Sequence, residues 1–174
     1  DLWGRGHPEG LPYYQGITAK SVTDFVLRGR KALFDKVKEQ PPFERDFAVL
    51  PAMPQFRKTR RIIGVKTLEE SDAGKHCDTS VAAVPDFSRR GVLYEIPYET
   101  LYNAKIRNLF IAGRAISSTG WAWEVTRVIP AAAATGQACG AAAALCGETD
   151  CGNDGLSTTL LQDTLLHQGV WLHF

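Results

Sequence analysis

The sequence predicts an α/β fold, and three features predict it: a helical apolar periodicity over 21–39, strand-like patterns at 91–98 and 109–112, and an alanine-dominated helix over 130–146. The elements follow in order. Residues 1–20 are rich in Gly, Pro and aromatic side chains and are expected to be irregular. Over 21–39, Ser21 is the expected N-cap with Asp24 three residues on, and Val22, Phe25, Val26, Leu33 and Val37 share one face. Gly29 weakens this helix by about 1 kcal/mol relative to alanine, and Pro41-Pro42 stop it.

Residues 47–68 are expected to be extended, because Phe47, Val49, Phe56 and the run Arg60-Arg61-Ile62-Ile63-Gly64-Val65 combine β-branched content with proline punctuation. Residues 69–90 are polar and rich in turn formers. Over 91–98, Val92, Tyr94 and Ile96 alternate with Glu95, which is expected on the opposite side, and Pro97 ends the strand or places it at an edge. Leu109-Phe110-Ile111-Ala112, closed by Gly113, has the form of a strand buried on both faces. In the helix over 130–146, Pro130 suits a first-turn position and nine of the 17 residues are alanine. A last helix is expected over 157–168, with Ser157 as N-cap, a face of Leu160, Leu161, Leu165 and Leu166, and Gly169 as the stop.

Composition narrows the function classes. The chain has 174 residues, 44% of them hydrophobic, which suits a folded domain and argues against global disorder. With 20 Lys+Arg against 19 Asp+Glu, the net charge of +1 provides no drive toward nucleic acid or an anionic membrane. No window holds 18 consecutive strongly apolar residues, so no membrane span is expected. Cys77, Cys139, Cys146 and Cys151 form no CxxC pair. Cys146 and Cys151 flank a Gly-rich turn across which a bridge could form, but free thiols in a reducing, cytoplasmic setting are the expectation.

Several motifs were weighed and set aside. Gly4-x-Gly6-x3-Gly10 has the wrong spacing for a dinucleotide fingerprint, and no strand precedes it. There is no P-loop, no GxSxG elbow and no HExxH. His76-Cys77-Asp78 resembles one corner of a metal site, but no second cluster lies at ligand spacing, and His7, His167 and His173 are isolated, so no metal is expected. Arg57-Lys58-x-Arg60-Arg61 is a basic cluster whose arginines could meet an anionic group bidentately. The segment 108–130 is the most informative. A buried strand ends at Gly113, and a polar loop with Arg114, Ser117, two tryptophans, Glu124 and Arg127 follows. A helix then opens at Pro130 with its N–H groups forward, a layout suited to an electron-rich or anionic ligand.

Taken together, Arg57-x-Thr59-Arg60-Arg61-Ile62-x-Gly64, Tyr94-Glu95-Ile96-Pro97-Tyr98, Asn108-Leu109-Phe110-Ile111-Ala112-Gly113-Arg114-x-Ile116-Ser117, Arg127-Val128-x-Pro130 and Gly136-Gln137-Ala138-x-Gly140 resemble the FAD-dependent oxidoreductase family of the glutathione-reductase-like superfamily. The resemblance implies a partial Rossmann-like FAD-binding domain, its carboxyl-terminal strand and helix, joined to part of a β-rich substrate domain. It assigns residues 1–105 to the substrate side and 106–174 to the flavin side. It implies FAD as cofactor, with Ala112, Gly113, Arg114, Ser117, Arg127, Val128 and Ile129 near it, and Arg57, Arg60, Arg127 and Tyr98 toward a small-molecule substrate. No general base stands out.

The family's amino-terminal GxGxxG unit is absent from this sequence. The chain therefore resembles the carboxyl-terminal portion of a family member, with an amino-terminal FAD-binding segment as its missing partner and self-association left open. A start at Asp1 rather than Met fits that expectation. The competing class is a non-enzymatic α/β interaction or ligand-binding module.

Overall fold

The computed structural model describes Gly10, residues 12–50 and residues 53–174. His7 and the glycines of the rejected Gly4/Gly6 motif lie outside the described residues. The chain is mixed α/β and forms two compact units, Asp1–Thr59 and Arg60–Phe174.

In the first unit, α1 (Ala19–Lys38) starts two residues earlier than the periodicity suggested, because Thr18 rather than Ser21 caps it by accepting from the Ser21 amide. Its apolar stripe is half-buried, with Phe25 packed 5.8 Å from the Tyr14 ring and 4.8 Å from the Phe56 ring. Phe34 stacks on Phe47 at 6.0 Å, and the Lys38 ammonium sits over the Phe34 ring. No residue of α1 is fully buried.

The second unit holds the core. Two antiparallel strands, β1 (Ser80–Pro85) and β2 (Leu93–Pro97), carry Val81, Val84, Tyr94 and Ile96 inward. Strand β1 falls within the segment read as turn-rich; the signal was the apolar run Val81-Ala82-Ala83-Val84, overshadowed by its polar flanks. Over it pack α3 (Ile129–Thr149) and α4 (Thr158–His167), preceded by a short helix, α2 (Gly120–Thr126), where a polar loop was expected.

Small residues form the face that α3 turns to the core. Ala131, Thr135, Ala138 and Ala142 form its fully buried stripe. By length and composition alone α3 could cross a membrane (mean hydropathy 1.3). Here its alanine stripe belongs to the core of the unit. Asp150, at φ +51°, ends it in the left-handed conformation. Helix α4 has the expected cap, with Ser157 accepting from the Leu160 amide, and the expected stop at Gly169, φ +80°. Its Leu161 and Leu165 are fully buried, each contributing about 2 kcal/mol by area removed from water.

Two expected strands do not form. Residues 47–68 contain no strand among the described residues; their amides find scattered carbonyls instead, Ile62 N to Ala115 O at 2.8 Å and Leu68 N to Ser117 O at 2.9 Å. The run 109–112 makes a single bridge, Phe110 to Tyr102, and Leu109 and Ala112 are exposed. The physical reason is the same in both cases: strand propensity needs a neighbour to complete a ladder, and the segments alongside provide only isolated bridges, Leu68 to Ser118 and Phe110 to Tyr102.

Glu95 is a buried carboxylate on β2. The alternation places it opposite Tyr94 and Ile96, and that side is covered as well. After Gly169 the chain turns back along β1, where Ala83 N donates to Trp171 O at 2.7 Å and Ser80 Oγ to Leu172 O at 2.6 Å. That return brings the last residues over Glu95.

Candidate functional site

Gly113 sits at the end of the 109–112 run with φ +68°, a left-handed conformation that suits glycine. Its amide donates to Thr135 Oγ1 on α3 at 2.9 Å, and that hydroxyl donates to Ala131 O at 2.7 Å. The glycine turn is thereby fastened to the first turns of α3. A Cβ on Gly113 would lie 3.5 Å from Ala132 Cβ, so glycine and alanine meet in close contact.

The N-terminus of α3 is open. The N-cap is Val128, whose side chain has no acceptor to offer. The first-turn N–H groups of a helix have no intrahelical partner, and over 21 residues the aligned peptides leave positive character at this end. Ile129 is 85% exposed there. A glycine turn bonded to an uncapped helix start is an arrangement that can receive an electron-rich edge, and it comes from the residues the sequence singled out: Ala112 and Gly113 on the turn, Val128 and Ile129 at the helix start.

The other candidates are placed differently. Arg114 is exposed, and its carbonyl accepts from Trp123 Nε1 at 2.7 Å. Ser117 is fully buried and takes part in a small polar knot, accepting from Arg61 Nη1 at 3.2 Å and lying 2.9 Å from Thr67 Oγ1. Arg127 is ion-paired with Glu124 one turn earlier, so its guanidinium is already engaged. Tyr98 lies in the core, its hydroxyl donating to Asn153 O at 2.7 Å and its ring 4.9 Å from Tyr102. Burial pushes its phenol far above the usual range. Arg57 is exposed in the first unit.

Arg60 opens onto a groove of about 490 Å³ in the second unit, whose wall is apolar (Ile63, Leu109, Ile111) and whose rim carries Arg61 and Lys105. Sequence reasoning chose Arg60 and passed over Arg61, the arginine that reaches the Ser117 loop. It also missed Asn153, whose side-chain amide donates to the carbonyls of Ile106 (2.7 Å) and Leu109 (3.0 Å) and so holds the approach to the 109–112 run. An asparagine in a Gly-rich turn carries no local signal for so distant a contact.

Two further groups of ionisable residues occur in this unit. Asp86, buried, accepts from Arg89 Nε (2.7 Å), Trp121 Nε1 (2.8 Å) and Ser88 N (2.9 Å). Burial opposes its ionisation, but these hydrogen bonds, Arg89 foremost, hold the carboxyl well below its usual range. On the far side of β2, Glu95 accepts from the Cys77 amide at 2.7 Å and lies 2.9 Å from His173 Nδ1 and 3.3 Å from His76 Nδ1. Burial pushes the Glu95 carboxyl up, but the bonds from His173 and the Cys77 amide outweigh it and hold it below the ordinary value. His76 of the His-Cys-Asp corner and His173, which spacing left isolated, thus stand side by side, rings 4.7 Å apart. All four cysteines are free thiols.

Fold and site together define a mixed α/β protein whose glycine turn is hydrogen-bonded to a helix that has no side-chain cap. Residues 26–165 match the model of the family described as FAD dependent oxidoreductase. The chain belongs to that family, and its function is accordingly flavin-linked redox chemistry. No curated protein and no solved structure shows significant similarity to it.

Proposed function

We propose that this chain supplies the carboxyl-terminal half-site of a flavoenzyme of the glutathione-reductase-like kind, in which hydride passes between a small-molecule substrate and FAD. One observation carries the reading: Gly113 is tied through Thr135 to the start of α3, and that start has no side-chain cap. The residues fit the group. Ala112, Gly113, Val128 and Ile129 would lie against the flavin, and the positive end of α3 would stabilise negative charge on its pyrimidine edge. When bound, FAD supplies the two-electron chemistry.

The chain's own residues do the rest. The apolar Ile129 would lie beside the ring, and Arg60, which lines the groove of the second unit, is the cation proposed for an anionic substrate. Ser117, buried and engaged by Arg61, positions the loop after the glycine turn.

The unladdered run 109–112 suits this reading. It is the expected last strand of a Rossmann-like sheet, and the neighbours that would complete it belong to an amino-terminal FAD-binding segment of the same polypeptide, the GxGxxG unit this sequence lacks. The free thiols suit a reducing, cytoplasmic setting. The exposed Ile63, Ile106 and Leu109 also favour a second reading, a non-enzymatic module that binds a partner through the same groove.

The test is the natural gene product. Its mass should exceed 19.1 kDa, and the purified protein should be yellow, with FAD released on denaturation. A colourless product of this chain's mass that takes up no added FAD overturns the proposal in favour of the binding module.

A further inference from the structure

Three segments distant in sequence, 76–78, β2 and the last residues, converge on one carboxylate. Glu95 has a side chain only 1% exposed, yet its Oε2 is approached by two imidazole nitrogens, His173 Nδ1 at 2.9 Å and His76 Nδ1 at 3.3 Å. One ligand atom from each of the three residues can be chosen so that all lie within 4.8 Å of one another. Ligands held about 2.1 Å from a tetrahedral ion stand roughly 3.4 Å apart. The 3.3 Å separation meets that spacing, and the 2.9 Å separation must open by about 0.5 Å to admit an ion. The two histidine nitrogens, at most 4.8 Å apart, would have to draw together around the ion, and the 64% exposed His76 side chain is the one with room to move.

The remaining ring nitrogen of His76 points to the same chemistry. His76 Nε2 lies 3.1 Å from Asp78 Oδ1. With Nε2–H donated to Asp78, the Nδ1 lone pair of His76 is free to face an ion held beside the Glu95 oxygen. A carboxylate that accepts the outer N–H of a ligating histidine is the usual support of such a ligand, fixing its tautomer and raising its basicity.

We propose that His76 Nδ1, His173 Nδ1 and Glu95 Oε2 form a binding site for one divalent first-row transition cation, with Asp78 orienting His76. Two imidazoles and one carboxylate are a donor set for zinc and its neighbours, since calcium and magnesium favour all-oxygen sets. Three protein ligands leave a fourth position, which opens to solvent on the exposed His76 side. Loading clips the returning C-terminal segment to β2. The site does not depend on the flavin reading, since it lies on β2 and the last residues and shares no residue with the Gly113 turn or the start of α3.

The probe is zinc, titrated calorimetrically into chelator-stripped protein that carries no histidine tag, with thermal melts alongside. One equivalent should bind and Tm should rise. His76→Ala and His173→Ala should each weaken binding by roughly a hundredfold or more, and Asp78→Asn by roughly ten- to a hundredfold. His167→Ala, on an exposed histidine outside the cluster, should bind as the parent does. Because Glu95 is buried, its variants could fail to fold, so the exposed His76 and Asp78 carry the test, with circular dichroism confirming the fold. No zinc binding by the parent, or parental affinity in both His76→Ala and His173→Ala, overturns the proposal.

Discussion

The Arg61 guanidinium donates to the Ser117 hydroxyl at 3.2 Å across 56 residues of sequence. This bond joins the arginine-rich segment to the loop after Gly113, and the same guanidinium donates to Ile62 O at 3.1 Å. Ser117 Oγ completes the knot with Thr67 Oγ1. Ser117→Ala should leave these partners short of a buried bond and cost about 1–2 kcal/mol, read as a lower urea midpoint with an unchanged m value.

Gly113 is a backbone requirement. At φ +68° an L residue is strained, while the space for a Cβ, 3.5 Å from Ala132, is ordinary contact. Gly113→Ala should therefore cost about 1–2 kcal/mol through conformation rather than collision. Thermal melts check the cost. In the natural gene product the same variant should retain less FAD, measured as flavin absorbance per polypeptide.

The Asp86 network predicts an acid-labile contribution. Its carboxyl is held below its ordinary value of 3.8 in the folded chain, so the folded state binds fewer protons than the unfolded state near that pH. The stabilisation is complete above the unfolded value and is lost as pH falls toward the folded one. The stability difference between the parent and Asp86→Asn should thus shrink between about pH 5 and about pH 2.5. Trp121→Phe removes one donor and should cost about 1 kcal/mol at neutral pH. Denaturant titrations across the pH range check both.

Burial pushes the Cys139 thiol up to about 12 and the Cys146 thiol, beside Cys151, to about 11. At pH 8 a thiol titrating at 12 is ionised to roughly one part in ten thousand, and the thiolate is the reacting form. In the native protein both should label with iodoacetamide far more slowly than in urea. Peptide mass mapping of a timed reaction measures this, and rapid native labelling of Cys139 would contradict its packing against Ile111 O.

Much of this protein was determined locally. The alanines and Pro130 specify α3, Ser157 and Gly169 bound α4, and Tyr94 and Ile96 mark the inner face of β2, because capping, propensity and short-range periodicity act within a few residues. The family was legible too, since its motifs lie in order along the chain, and Gly113 was marked by its place at the end of the 109–112 run. Only the tertiary structure decided the rest. It buried Glu95 beneath the returning C-terminus, committed Tyr98 to Asn153, chose Arg61 over Arg60 for Ser117, and set His76 beside His173. It also left 109–112 without a ladder, although its composition reads as a strand. Each of these outcomes depends on which backbone or side chain arrives from dozens of residues away, and a local pattern of hydrophobicity contains no term for that arrival.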